Sequence, residues 1–178
     1  MTATAVVRRR SFGERVVGAA RLDIDTYEEV EADVSATRQA ALVVCLAAAA
    51  VAIGESRTGL VAVASGVLTE LLGWLLWSGI TYLIGAKLLG GTATWGELQR
   101  TIGFAQGPGL LSMLRLVPVL DGPVLHLVRL WKLIAVIVAI RQALDVGTGR
   151  AIVTAALGFI AYVALATGLM MVFGGSVA

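Results

Sequence analysis

Apolar residues fall into five long runs along the chain, separated by short polar or glycine-rich stretches. The first run goes from about Ala36 to Ile53 and stops at the polar turn Gly54-Glu55-Ser56-Arg57. The second, Leu60 to Ile84, has about 25 residues, enough to cross a hydrocarbon layer of about 30 Å with some tilt. It carries Trp74, Trp77 and Tyr82 toward one end, where interfacial aromatics belong. A glycine-rich loop, Gly85 to Gly91, leads to the third run, Trp95 to Leu116. Glu97, Gln99 and Arg100 sit in its first turns and Gly107-Pro108-Gly109 interrupts it, so the pattern predicts a kinked or discontinuous helix. After a turn over Pro118 to Pro123, the fourth run covers Val124 to Ala143 with His126, Arg129 and Lys132 in its first half. The fifth, Ala151 to Phe173, holds no charge.

Ahead of these runs the periodicity changes. From Phe12 to Ile24 a helical wheel gathers Phe12, Val16, Ala19, Ala20 and Ile24 on one arc and Glu14, Arg15, Gly18 and Arg21 on the other. That pattern predicts an interfacial amphipathic helix, with Arg15 and Arg21 at anionic headgroups of the membrane surface. Such a helix is separable from the bundle, and its removal is expected to leave the bundle folded. Thr26-Tyr27-Glu28-Glu29 has the spacing of a capping box and predicts the start of an acidic, solvated helix running to Asp33. Arg9-Arg10-Ser11-Phe12 has the look of a twin-arginine export signal, but Glu14, Arg15, Arg21, Asp23 and Asp25 break the apolar core that such a signal needs.

Composition fixes the solvent for these runs. The 178 residues are 58% hydrophobic and 15% charged, against about 45–50% and about 25% in soluble domains. A soluble fold of this size buries only about 70% of the surface its unfolded chain exposes, so much of this apolar material must face lipid. The expected fold is therefore an all-α polytopic bundle of about five transmembrane helices. Residues 1–34 form a cytoplasmic amphipathic and acidic segment, and residues 35–178 form the bundle.

Of the 14 basic residues all but Lys87 and Lys132 are arginine, and alanine, valine, leucine and glycine dominate, a bias of GC-rich bacterial genomes. The basic residues are not interleaved with aromatics as on a nucleic-acid surface. Their distribution reads as topology. With the N-terminus in the cytoplasm, ten of the 14 fall inside: Arg8, Arg9, Arg10, Arg15, Arg21, Arg38, Lys87, Arg100, Arg141 and Arg150. Five crossings then put the C-terminus outside a cell membrane.

Three stretches carry a family resemblance: Tyr27-Glu28-Glu29-Val30-Glu31, Thr101-Ile102-Gly103-Phe104-Ala105-Gln106-Gly107-Pro108 and Arg141-Gln142-Ala143-Leu144-Asp145. With them the chain resembles a bacterial member of the Ypt-interacting-protein (YIP) family over nearly its whole length. The resemblance implies five membrane helices and no established enzymatic activity. Eukaryotic members bind Rab-type GTPases in vesicle traffic, but their long cytoplasmic domain and Asp-Leu-Tyr-Gly-Pro motif are absent from this sequence, so Rab binding is carried to no residue.

Candidate chemistry gathers inside the membrane. Glu70 lies near the middle of the second run, where an ionised group costs at least about 2.5–3.5 kcal/mol on insertion scales and so has a partner or a task. Ala62, Gly66 and Gly73 share its face and turn it toward the bundle. At 1.5 Å per residue Glu70 is about 15 Å from Leu60 and Lys132 about 12 Å from Val124, so the two can meet, with Arg129 one turn away. Gln106 falls at a similar level beside Gly107, Pro108 and Gly109. Two readings stay open: an ion pair or hydrogen-bonded glue between helices, and a polar path through a broken helix as in transporters.

His126 and Cys45 are each single and supply no metal-ligand spacing, and no nucleophile motif or phosphate loop is present. Neither enzyme activity nor a cofactor is expected. The function expected is that of a non-enzymatic scaffold, membrane organiser or accessory subunit. The alternative is a small transporter or channel component built on Glu70, Gln106 and Lys132. The partners expected are the lipid bilayer and other membrane proteins or a second copy, not nucleic acid.

Overall fold

The structure, a computed structural model, describes residues 9–55 and 59–174, with the side chains of 169, 170 and 172–174 also left aside. Arg8, the Ser56-Arg57 part of the first turn and the last four residues of the C-terminal tail therefore lie outside the described residues.

Among the described residues seven α-helices follow one another: α1 Phe12–Ala20, α2 Ile24–Ala32, α3 Ala36–Gly54, α4 Leu60–Tyr82, α5 Trp95–Phe104, α6 Asp121–Ala143 and α7 Thr148–Gly174. Among the described residues four helical stretches are long and apolar enough to cross a membrane: Ala36–Gly54, Leu60–Leu88, Pro118–Ala143 and Thr148–Gly168. The second includes a π-helical extension of α4 over Leu83–Leu88, so Gly85 is helical and the glycine loop shrinks to Leu89–Thr94.

The third apolar run breaks as its glycine-proline pattern predicts. Its α-helix stops at Phe104, and 3₁₀ turns carry the chain over Gly107–Leu116 and Pro118–Leu120. Pro108 stands at the start of the 3₁₀ stretch, where its missing N–H is not needed. Four continuous membrane-length helices and one discontinuous segment thus replace the expected five helices.

The discontinuous segment lies along α3 from end to end. A Cβ on Gly103 would sit 2.8 Å from Cβ of Ala40, and one on Gly109 3.0 Å from Cβ of Ala47. A Cβ on Gly54, the last residue of α3, would collide with the Ser112 carbonyl oxygen. Between Ala40 and Gly54 α3 rises about 21 Å at 1.5 Å per residue. Small residues on both partners allow this approach, which is how helices associate where lipid removes the hydrophobic drive.

The N-terminal segment departs from expectation in three ways. It is not one helix over Phe12–Ile24: α1 is capped by Arg21, the chain turns at Leu22 with φ 63°, and Ile24 begins α2. The capping box is not at Thr26 and Glu29 but at Ser11 and Glu14, where the Glu14 amide donates to Ser11 Oγ over 3.3 Å and the Ser11 amide to Glu14 Oε2 over 2.7 Å. Thr26 sits inside α2, fully buried against Gly18, and donates to Asp23 Oδ2 over 2.6 Å. A second capping box, Thr94 with Glu97, starts α5. Third, the pair α1–α2 packs onto α5, α6 and the broken segment, with Ala19, Tyr27 and Val30 inaccessible to solvent.

Candidate functional site

Where the third segment loses its α-helix, it cannot fill the space between its neighbours. A cavity of about 570 Å³ opens there among α3, α4, α6 and α7. It is walled by Trp74, Trp77, Val136, Ile137, Ile152 and Phe159. All four polar residues expected to cluster within the membrane, Glu70, Gln106, Arg129 and Lys132, line it.

Three elements deliver them: α4 carries Glu70, the break carries Gln106, and α6 carries Arg129 and Lys132 one turn apart. Glu70 and Gly73 share a face of α4, and Gly73 lets the Tyr162 hydroxyl of α7 come to 3.0 Å from where its Cβ would be. Gln106 stands at the break itself and spends its amide on a long bond, Nε2 to the Ile102 carbonyl at 3.5 Å. Gly109 makes room for the Lys132 stem, whose Cδ would lie 3.9 Å from a Cβ there. Lys132 is half-buried and within the electrostatic reach of Glu70, but among the described residues no ion pair or hydrogen bond joins Glu70 to Lys132 or Arg129. The expected contact is therefore not made: Glu70 is exposed on α4 rather than turned into the bundle, and it shares only the cavity wall with the two bases. Close by, Trp77 Nε1 and Thr81 Oγ1 are buried without a hydrogen-bond partner and face Gly158 of α7.

A second polar assembly lies at the end of the bundle where α1 and α2 dock. Arg15, expected at lipid headgroups, is instead 2% exposed. Its Nη2 donates to Glu29 Oε1 and Asp33 Oδ2, both over 2.8 Å, and its Nη1 to Gln39 Oε1 over 3.0 Å. Arg10 joins with Nη1 on Glu29 Oε2 and Nη2 on Asp23 Oδ2, both at 3.1 Å. Arg21 is exposed, as a headgroup contact requires. The physical reason Arg15 left the polar arc is that the carboxylates of Glu29 in α2 and Asp33 at its C-terminal cap, with the Gln39 amide of α3, lie across it and satisfy its fork.

The carbonyls left over at the ends of both short helices are taken by the bundle. Trp131 Nε1 of α6 donates to the Ala20 carbonyl over 2.7 Å, and the Tyr27 hydroxyl donates to Ala19 O at 3.1 Å. Arg100 of α5, 5% exposed, donates through Nε to the carbonyls of Val30 and Glu31 at 3.0 and 2.9 Å, and through Nη2 to Glu31 as well. Helix ends need such donors when water cannot reach them. Sequence reasoning gave Arg100 only a place on the inner side and Trp131 no role, and the signal that marks them is a donor within an apolar run facing the last carbonyls of a short helix.

Electrostatics differ along this assembly. Asp33 is pushed down to about 2 by hydrogen bonds from Ser35 and then from Arg15. Burial works against the charges of Glu29 and Arg15, but their mutual bonds prevail, lowering the carboxyl and raising the guanidinium. Glu31 moves the other way, to about 7, through burial and then the like charges of Glu97 and Asp145. The Tyr27 phenol is raised by burial alone. Among the described residues no group of three His, Cys, Asp or Glu side chains is placed to hold a metal ion.

Helices of this length and hydropathy, with the large apolar side chains of α4 and α7 turned outward, define a multi-pass all-α membrane protein. The family model of the Yip1 domain matches residues 25–170, and the chain belongs to that family. No curated protein and no solved structure matches it.

Proposed function

We propose that the chain is a non-enzymatic accessory or scaffold protein of the cell membrane, with an N-terminal cytoplasmic segment, residues 1–34, of which 9–34 dock as a cover on the helical bundle that follows. The Yip1 domain match over most of the chain carries this reading. Five crossings are supported by the contacts that the broken segment keeps with α3 from Ala40 to Gly54. The basic excess at the N-terminal side supports a C-terminus outside. Its partners are lipid and other membrane proteins or a second copy. Isolation of the tagged chain from its own membrane in mild detergent tests the role: a co-purifying membrane protein, or the chain itself as an oligomer, is the expected result. Recovery of the chain alone as a monomer contradicts it. Reporter fusions at both ends test the topology, and both ends on one side would make the third segment re-entrant.

The cavity favours a second reading, a small transporter or channel component, because Glu70, Gln106 and Lys132 line it beside a helix break. Solute flux in proteoliposomes, abolished by Lys132→Met, would support that reading. Absence of flux for every small ion and organic solute tried would leave the scaffold.

A further inference from the structure

The cavity combines an apolar wall with an excess of donors. Its charged groups are Arg129, Lys132 and Glu70, two positive and one negative, and no ion pair or hydrogen bond ties Glu70 to either base. Lys132 is half-buried against apolar walls with Arg129 exposed beside it, and a half-buried cation without a bonded counter-ion attracts an anion, because the desolvation imposed on it is offset by a partner charge. Most of the remaining wall, Trp74, Val136, Ile137, Ile152 and Phe159, favours an alkyl or aryl body, with the Trp77 indole N–H and the Tyr162 hydroxyl as its polar exceptions. The volume of about 570 Å³ lies inside the range of about 300–1,000 Å³ usual for small-molecule sites. It accommodates one chain and a head, not both chains of a phospholipid.

We propose that this cavity binds a single-chain amphiphile with one negative charge, its head between Lys132 and Arg129 and its chain along the α6–α7 wall. The net charge of the three ionic groups, plus one, matches a carboxylate or a single-chain phosphodiester, and Glu70 selects against a second negative charge. Gln106, a neutral polar group of the same wall, stands at the break to complete the head contact. The binding shares its cavity with the transport reading but needs no passage: a bound amphiphile without flux keeps the proposal and sinks transport, whereas flux without amphiphile binding does the reverse.

The aromatic wall makes the test direct, since Trp74 and Trp77 lie in the site and bromine quenches indole fluorescence at contact. The full chain in nanodiscs of zwitterionic lipid is titrated with dibromostearate, its methyl ester, a brominated single-chain phosphodiester, a brominated single-chain quaternary ammonium and a brominated two-chain anionic phospholipid. Saturable quenching by one or both of the single-chain anions, with only linear partitioning by the ester, the cation and the two-chain lipid, is expected. Which anion saturates first distinguishes carboxylate from phosphate. Lys132→Met should weaken saturable binding about tenfold or more, the loss of one charge-assisted hydrogen bond. Lys132→Arg should restore most of it, and Glu70→Gln should tighten it. Retained helical circular dichroism and a single gel-filtration peak separate lost binding from lost fold, and Lys132→Arg carries the test if the methionine variant fails that check. Equal quenching by acid and ester, or affinity unchanged in a folded Lys132→Met, overturns the proposal. Saturable binding of the two-chain lipid at the same affinity overturns its single-chain form.

Discussion

The end of the bundle covered by α1 and α2 and the flank formed by α4 and α7 are built on opposite terms. At the covered end nearly every donor and carbonyl is matched: Arg15 spans two carboxylates and an amide, and Arg100, Trp131 and Tyr27 take the last carbonyls of the short helices. On the flank the Trp77 and Thr81 donors are buried unmatched, and the charges of Glu70, Arg129 and Lys132 stand around open space. The helices differ in the same sense. Of the apolar window of α3, 44% is buried inside the protein, but only 6% of that of α4. Alanine-rich α3 is closed around by close backbone approach, whereas leucine-rich α4 gives its bulk to lipid. Stability is thereby concentrated at one end, and the space needed for a ligand is left at the other.

That contrast can be broken most forcefully at Arg15. Arg15→Met leaves Glu29 with Arg10 alone and Asp33 with Ser35 beneath α1, and should destabilise the detergent-solubilised protein by about 3 kcal/mol, the low end for breaking a buried pair because the carboxylates keep these partners and some water. A thermal or denaturant melt measures it. The pH dependence gives a check on the same contact. Asp33 is held from its ordinary 3.8 down to about 2, so its contribution is whole above the unfolded value and is lost as pH falls through that window. Arg15→Met should make this acid limb shallower, the part that remains being held by the Ser35 hydrogen bonds.

Gly54→Ala comes next. The new methyl group meets the Ser112 carbonyl, a backbone atom that cannot swing away, and overpacking of this kind costs about 1–3 kcal/mol. The matched control is Gly168→Ala in α7, where nothing lies within 4 Å of the added Cβ. That substitution should be neutral or stabilise by up to about 1 kcal/mol, the helix propensity difference. Equal losses at both sites would erase the distinction between the two regions.

Trp131→Phe removes the donor to the Ala20 carbonyl and should cost about 1 kcal/mol, the net worth of an ordinary hydrogen bond. The smallest effect belongs to Glu31, whose carboxyl titrates near 7 instead of its ordinary 4.5. A raised carboxyl keeps its proton when the unfolded chain has lost it, so its contribution is present below about 4.5 and falls away as pH rises toward 7. Glu31→Gln should remove that slope in melts run across the interval.

Long-range apolar pattern made the spans legible, because 20 or so consecutive apolar residues have few solutions other than a membrane helix. The break at Gly107-Pro108-Gly109 was legible for the same local reason, although the helix stops before it, at Phe104. The gathering of Glu70, Gln106, Arg129 and Lys132 followed from counting depth along helices of known rise. Depth does not fix rotation, so whether Glu70 would bond a base or face a cavity was beyond it. The N-terminal pair was misread because an amphipathic wheel shows two faces without saying what covers the polar one. Arg15 found carboxylates on α2 rather than headgroups, and Leu22 turned the chain in a φ region that sequence pattern alone does not mark.

The account rests on α1 being a packed part of the bundle, and one distance tests that best. A Cβ on Gly107 would lie 3.9 Å from Cβ of Ala20, inside the usual disulfide range of about 3.5–4.5 Å. Ala20→Cys with Gly107→Cys, in a Cys45→Ala background, can be oxidised in isolated membranes and scored by alkylation of the remaining thiols. Docked α1 predicts rapid, near-complete loss of both thiols, with either single variant still fully alkylated. Two thiols that both stay reactive in the double variant after oxidation would mean that α1 lies away on the membrane surface, and would contradict the account.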